Sequence, residues 1–124
     1  MDTISIEGTP KTPTINFDMN KGALEIKGRS IPENSIEFYK PLVDWLEKYA
    51  AKPQPQTLVN IQLEYFNTSS SKCLLELMKR LVAVQTSGKK IAFEWLHEPE
   101  DDDMKEAGAD FRDLLKAPFE IIAK

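Results

Sequence analysis

The segment Thr57–Phe66 limits what this chain can become more than any other stretch of its 124 residues. Val59, Ile61, Leu63 and Tyr65 alternate with Asn60, Gln62 and Glu64. A period of two sustained that long is a strand with one packed face and one face at least partly wet. Immediately afterwards the period changes. From about Ser69 to Thr86, Leu74, Leu77, Met78 and Leu81 recur at helical spacing, and Ser87-Gly88 stops the run. Lys90 to Leu96 then alternates again, with Ile91, Phe93 and Trp95 on one side. Strand, helix and strand in series favour a parallel crossover.

The flanking sequence extends this pattern in both directions. Residues 1–30 read as extended: Ile4 and Ile6 alternate with polar neighbours, and Thr14–Asp18 and Ala23–Lys27 alternate on either side of Met19-Asn20-Lys21-Gly22. An Asn and a Gly between two alternating runs signal a hairpin. Pro10 and Pro13 interrupt the approach to it. Pro32-Glu33-Asn34-Ser35 opens a helix, with Asn34 as cap and Glu37 placed for a capping box. Tyr39, Leu42, Val43, Leu46 and Tyr49 form its stripe, and Lys52-Pro53-Gln54-Pro55 ends it. Pro41 inside that run removes one backbone donor, which predicts a kink or a detached first turn. Asp101-Asp102-Asp103 opens a third helix with Met104, Ala107, Phe111, Leu114 and Leu115 inward, and Pro118 introduces a last strand, Phe119 to Ile122. The expected fold is α/β: one domain over residues 1–124, a mixed sheet with an N-terminal antiparallel hairpin, and about three helices mainly on one face.

Composition narrows the function classes. A hydrophobic fraction of 41% with 29% charged residues suits a globular core. The net charge of -4 and a pI near 5.1 disfavour nucleic acid as main partner, because a phosphate backbone needs a basic surface. No apolar run is long enough to span a bilayer. The first residues do not read as a secretory signal, and Cys73, the single cysteine, allows no intrachain disulfide. A cytoplasmic setting is expected. One cysteine and one histidine, His97, cannot build a zinc site without several carboxylates. No metal and no cofactor are expected.

The hydroxyls of Thr68, Ser69, Ser70 and Ser71 follow Asn67 where strand gives way to helix. Capping of orphan amides accounts for such residues. The same position suits a phosphoacceptor, since the free N–H groups and dipole of a helix start stabilise a phosphate. Lys72 opposes that dipole in the first turns yet would suit a nearby phosphate. On physical grounds alone, capping is favoured. The acidic run Glu98–Asp103 lacks the Gly and the ligand spacing of a calcium loop and reads as a solvated loop complementing a helix start. His97 could act as a general base but has no nucleophile motif beside it; a lone surface histidine is the simpler reading. Cys73 reads as a small packing residue, and Trp45 and Trp95 as core or interface residues. Glycine-rich phosphate loops are absent.

Leu63-Glu64-Tyr65-Phe66, then Asn67-Thr68-Ser69-Ser70, then a Leu-rich helix resembles the SiaC-type regulatory phosphoproteins of bacteria, relatives of the STAS domains of anti-sigma factor antagonists. The resemblance runs over nearly the whole chain, through Gly8-Thr9 with Thr12-Pro13, Pro32-Glu33-Asn34-Ser35, Asp44-Trp45, Trp95, and the region of Phe111 and Phe119. It implies a STAS-like fold and a partner-switching protein with no catalysis of its own. A cognate kinase would phosphorylate Thr68, a PP2C-like phosphatase would remove the phosphate, and the unphosphorylated form would bind and activate a GGDEF-type diguanylate cyclase in cyclic di-GMP and biofilm signalling. Asn67, Ser69, Ser70, Ser71 and Lys72 would form the phosphosite loop and contribute to the partner surface. Ordinary STAS antagonists carry an acceptor Ser after Asp, often followed by Ser-Gly-Leu; Asn67 before Thr68, with no Gly following, fits the SiaC-like branch better. The alternatives are an anti-sigma factor antagonist, a small-molecule-binding STAS-like module, and an enzyme built on His97 and the acidic run.

Overall fold

The computed structural model describes residues 3–124, apart from the side chains of residues 86 and 87. Three strands come first: β1 (Thr3–Ile6), β2 (Thr14–Asp18) and β3 (Ala23–Ser30). They are followed by α1 (Ser35–Ala51), β4 (Gln56–Phe66), α2 (Thr68–Val82), β5 (Lys90–His97), α3 (Asp102–Leu115) and β6 (Phe119–Ala123). The six strands lie in the sheet in sequence order. β1, β2 and β3 pair antiparallel; β3, β4, β5 and β6 pair parallel. The three parallel crossovers all step the same way along the sheet, so the right-handed rule puts α1, α2 and α3 on one face.

The turn between β2 and β3 has a local cause. The Asp18 carboxylate accepts from the amides of Asn20 and Lys21 at 2.9 and 3.1 Å, and Gly22 takes φ 67°. A Cβ at Gly22 would stand 2.6 Å from the Gln56 carbonyl oxygen, so both the turn and the entry of β4 need glycine there.

The core lies between the sheet and the helices. Ile15, Phe17, Leu24, Ile26, Val59, Ile61, Ile91 and Phe93 supply the sheet side, and Leu42, Leu74, Leu77, Met78 and Phe111 the helix side. The other sheet face carries polar cross-strand pairs: Asn16 donates to Glu25 at 3.4 Å and Asn60 to Glu94 at 3.2 Å.

Several expectations are corrected. Tyr65 is not on the packed face. Gly28 pairs with Leu63 but Arg29 pairs with Tyr65, so Glu64 is an extra residue bulged from β4. The extra residue reverses the alternation. Tyr65 turns outward, 52% exposed, while Phe66 turns inward against Trp95 and Phe111, with ring centroids 6.1 and 6.2 Å away. Leu114 is 59% exposed, and Gly108 takes the inward position instead. There a Cβ would stand 2.5 Å from Trp95 Cδ1; the missing side chain is what lets α3 lie on that indole. His97 is no surface histidine. It is the last residue of β5, 6% exposed, with Nδ1 2.7 Å from the Glu98 carbonyl oxygen. That carbonyl can only accept, so Nδ1 carries the proton. Pro41 neither detaches a turn nor ends α1, which is continuous; Pro41 is exposed, where water can satisfy the carbonyl left without a donor. The helix expected from Ser69 begins one residue earlier, its α-helical part stops at Val82, and a 3₁₀ segment, Ala83–Ser87, finishes it before Gly88 at φ 86°.

Candidate functional site: the first turn of α2

The residues between β4 and α2 form a start whose parts have separate jobs. Asn67 is the cap, in extended conformation, and its side-chain oxygen accepts from the Ser70 amide at 2.8 Å. Its own amide donates to the Ser30 carbonyl at 3.1 Å, tying the end of β4 to the end of β3. Thr68 is thus the first helical residue. It is exposed, and its hydroxyl enters no side-chain hydrogen bond among the described residues.

The next two hydroxyls are engaged. Ser69 is exposed, but its Oγ lies 2.8 Å from Ser35 Oγ and donates to Asn67 Oδ1 at 3.3 Å. Ser70 is fully buried: Ser30 Oγ donates to it at 2.8 Å, and it donates to the Ser30 carbonyl at 2.9 Å. The chain of hydroxyls continues to Tyr39, whose OH lies 2.6 Å from Ser30 Oγ, and to Ser35, 3.4 Å from Ser70. Burial pushes the Tyr39 phenol up to about 12, with the Ser30 contact offsetting part of that rise. Buried hydroxyls joined in this way hold one geometry, because each would be costly without its partner.

Ser71 is half-buried and Lys72 exposed. Lys72 lies one helical turn from Thr68 on the same side of α2, and its ammonium has no ion-pair partner among the described residues. Cys73 is half-buried, its thiol pushed up by desolvation, so it is not a poised nucleophile.

Of the residues expected from the sequence, Asn67, Thr68, Ser69 and Lys72 therefore share one accessible surface, whereas Ser70 lies beneath it as an anchor. The acidic run resolves into a cap: Asp101 accepts from the Met104 amide at 3.0 Å, with Asp102 and Asp103 in the first turn of α3. His97 and Cys73 sit on different elements, and no group of three or more His, Cys, Asp or Glu among the described residues could hold a metal ion. No helix among them is long and apolar enough to cross a membrane. Sequence reasoning missed Ser30, Ser35 and Tyr39, which set the loop from below. Serine carries no pattern that reveals a partner some 40 residues away.

A fold and a helix start of this kind occur together in a class of regulatory phosphoproteins. The model of the SiaC family regulatory phosphoproteins matches residues 6–124, and the chain belongs to that family. It is 32% identical over 123 residues to an uncharacterised protein of Pseudomonas aeruginosa, covering 99% of this chain and 98% of that one. It superposes with a TM-score of 0.91 and 31% identity on the crystal structure of diguanylate cyclase SiaD in complex with its activator SiaC from Pseudomonas aeruginosa, covering 98% of this chain and 99% of that chain. Apo-SiaC from the same organism matches with a TM-score of 0.89 and 31% identity over 99% of this chain and 100% of that chain.

Proposed function

We propose that this chain is a cytoplasmic partner-switching protein without catalytic activity, whose unphosphorylated form binds and activates a diguanylate cyclase. A cognate kinase places a phosphate on Thr68, and a PP2C-like phosphatase removes it. The cyclase assignment is supported by likeness to a protein described as the activator of the cyclase SiaD. The site assignment rests on one observation: among the hydroxyls of the loop, that of Thr68 alone is both exposed and unengaged, at the first position of a helix. A kinase can reach it without breaking a hydrogen bond, and the product phosphate meets free first-turn amides. Ser69 would first have to leave Ser35 and Asn67, and Ser70 would have to leave the core.

The output follows from charge. A phosphate adds nearly two negative charges. Burying an uncompensated charge in a docking face costs roughly 3–5 kcal/mol, on the order of a hundredfold or more in affinity. One phosphate is therefore enough to end binding.

Incubation with a cognate kinase and ATP, followed by mass mapping, tests the acceptor. Phosphate on Ser69 or Ser71 that persists undiminished in Thr68→Ala would remove Thr68 from the role. Cyclic di-GMP production by the cognate cyclase, with unmodified and phosphorylated protein added in turn, tests the output. Equal activation by both would reject the switch.

A further inference from the structure

We propose that the cleft between α1 and α2 is the docking groove for the partner. It takes a segment that presents aliphatic side chains and a carboxylate, and Lys72 is the residue through which phosphate on Thr68 closes it. The regulatory half of this rests on the reading of Thr68; the groove itself does not.

The cleft encloses about 440 Å³. Tyr39, Val43 and Cys73 make an apolar floor, and Ile36 stands at its lip. Ile36 is 78% exposed, the most exposed of the large apolar side chains among the described residues. It lies in the first turn of α1, off the stripe of Tyr39, Leu42, Leu46 and Tyr49 that enters the core. Nothing in the fold needs an isoleucine there. A large apolar side chain left in water beside an apolar cleft marks a contact site.

Charge then selects the occupant. Lys40 pairs with Asp44 at 3.3 Å on one wall, and Glu76 pairs with Arg80 at 3.1 Å on the other. Lys72 is the charged side chain of the cleft left without an ion pair among the described residues. A single uncompensated ammonium at the rim of an apolar groove is complementary to a carboxylate beside aliphatic side chains, as on an amphipathic helix. It does not suit nucleic acid, because the carboxylates of Asp44 and Glu76 line the same cleft.

The two walls of the cleft are tied together at one end. The Ser35–Ser69 hydroxyl bridge, 2.8 Å long, ties the start of α1, and so Ile36, to the start of α2. Thr68 and Lys72 are one turn apart on α2. A phosphate on Thr68 draws the Lys72 ammonium into an intramolecular pair. Phosphorylation then acts twice: it adds negative charge at the end of the groove, and it withdraws the cation that met the partner's carboxylate.

The experiment is titration calorimetry of the cognate diguanylate cyclase with wild type, Ile36→Glu and Lys72→Gln, each unmodified and phosphorylated. Both changes sit at exposed positions, and a Glu in the first turn suits the helix dipole, so the variants fold. Ile36→Glu weakens unmodified binding by more than about tenfold, as loss of an apolar anchor does when a charge replaces it. Lys72→Gln weakens it by roughly fivefold and shrinks the further loss on phosphorylation, because part of that loss has already been taken. Wild-type affinity in both variants, with phosphorylation still abolishing binding, would overturn the groove and leave Thr68 as the switch. Weakened variants with binding insensitive to Thr68 phosphate would keep the groove and overturn the switch. A solution dimer of this chain that Ile36→Glu dissociates, with cyclase binding intact, would give the groove to a second copy and overturn the proposal.

Discussion

Removing one hydroxyl at a time from the α2 start separates scaffold from signal. Ser70→Ala deletes the acceptor of the Ser30 hydroxyl at 2.8 Å and the donor to the Ser30 carbonyl at 2.9 Å, both fully buried. At roughly 1 kcal/mol net per hydrogen bond, the loss is about 2 kcal/mol. The carbonyl keeps the Asn67 amide at 3.1 Å, so it is not orphaned and the loss does not climb further. Alanine returns about 0.5 kcal/mol of helix propensity. The remainder, about 1.5 kcal/mol, lowers Tm by roughly 6 °C at some 4 °C per kcal/mol for a domain of this size. Thr68→Ala loses no side-chain hydrogen bond and gains propensity, so its Tm stays level or rises by about 1–2 °C. Thermal and urea unfolding of the two variants, side by side, check the contrast. Equal destabilisation by Thr68→Ala would mean that its hydroxyl is structural, and the division of labour in the loop would fail.

Asn67→Ala removes the cap on Ser70 and costs about 1 kcal/mol, read as a shift of the urea midpoint. Gly108→Ala drives a methyl against the Trp95 indole and costs about 1–3 kcal/mol despite alanine's better propensity, with a change in tryptophan fluorescence reporting the displaced ring. Alkaline pH acts through Tyr39. Its phenol is raised from 10.0 to about 12 in the fold, so the neutral form stabilises fully below pH 10 and that contribution is lost between about pH 10 and 12. At 1.36 kcal/mol per unit this is about 2–3 kcal/mol, and Tyr39→Phe removes that part of the pH dependence of urea unfolding. Cys73, half-buried with its thiol pushed up, alkylates more slowly at pH 8 in the folded protein than in urea, as followed by mass spectrometry.

Most of the architecture was legible because periodicity reports burial. The helix–strand order, the hairpin and the stripe of Leu74, Leu77, Met78 and Leu81 all follow from it. Where it misled, one residue had broken the period. Glu64, bulged from β4, exchanged Tyr65 for Phe66, and no sequence rule marks a bulge of this kind in a parallel pair. Leu114 and Gly108 exchanged places because hydropathy favours the larger side chain, whereas Trp95 leaves no room for one. His97 was misplaced for a similar reason, since nothing in the sequence extends β5 by one more residue. At the site, Asn67 as cap and the hydroxyl cluster were visible. The sorting of those hydroxyls was not, because it depends on Ser30, Ser35 and Tyr39 arriving from β3 and α1. Ile36 was not singled out in the sequence, because a lone apolar residue off a helical stripe shows its exposure only once the helix is packed.

The order of the strands has a consequence for how the molecule comes into being. Each strand pairs only with the strands before and after it in the chain. No strand waits for a distant one, so the sheet can be laid down in the direction of synthesis, each new strand adding to a finished edge. The pairing of β4 with β3 brings Asn67 to Ser30, and the first turn of α2 then brings Ser70 down onto the same residue. A nascent chain ending shortly after α2 already holds every residue of the Thr68 loop and both walls of the cleft, while β5, α3 and β6 are still to be made.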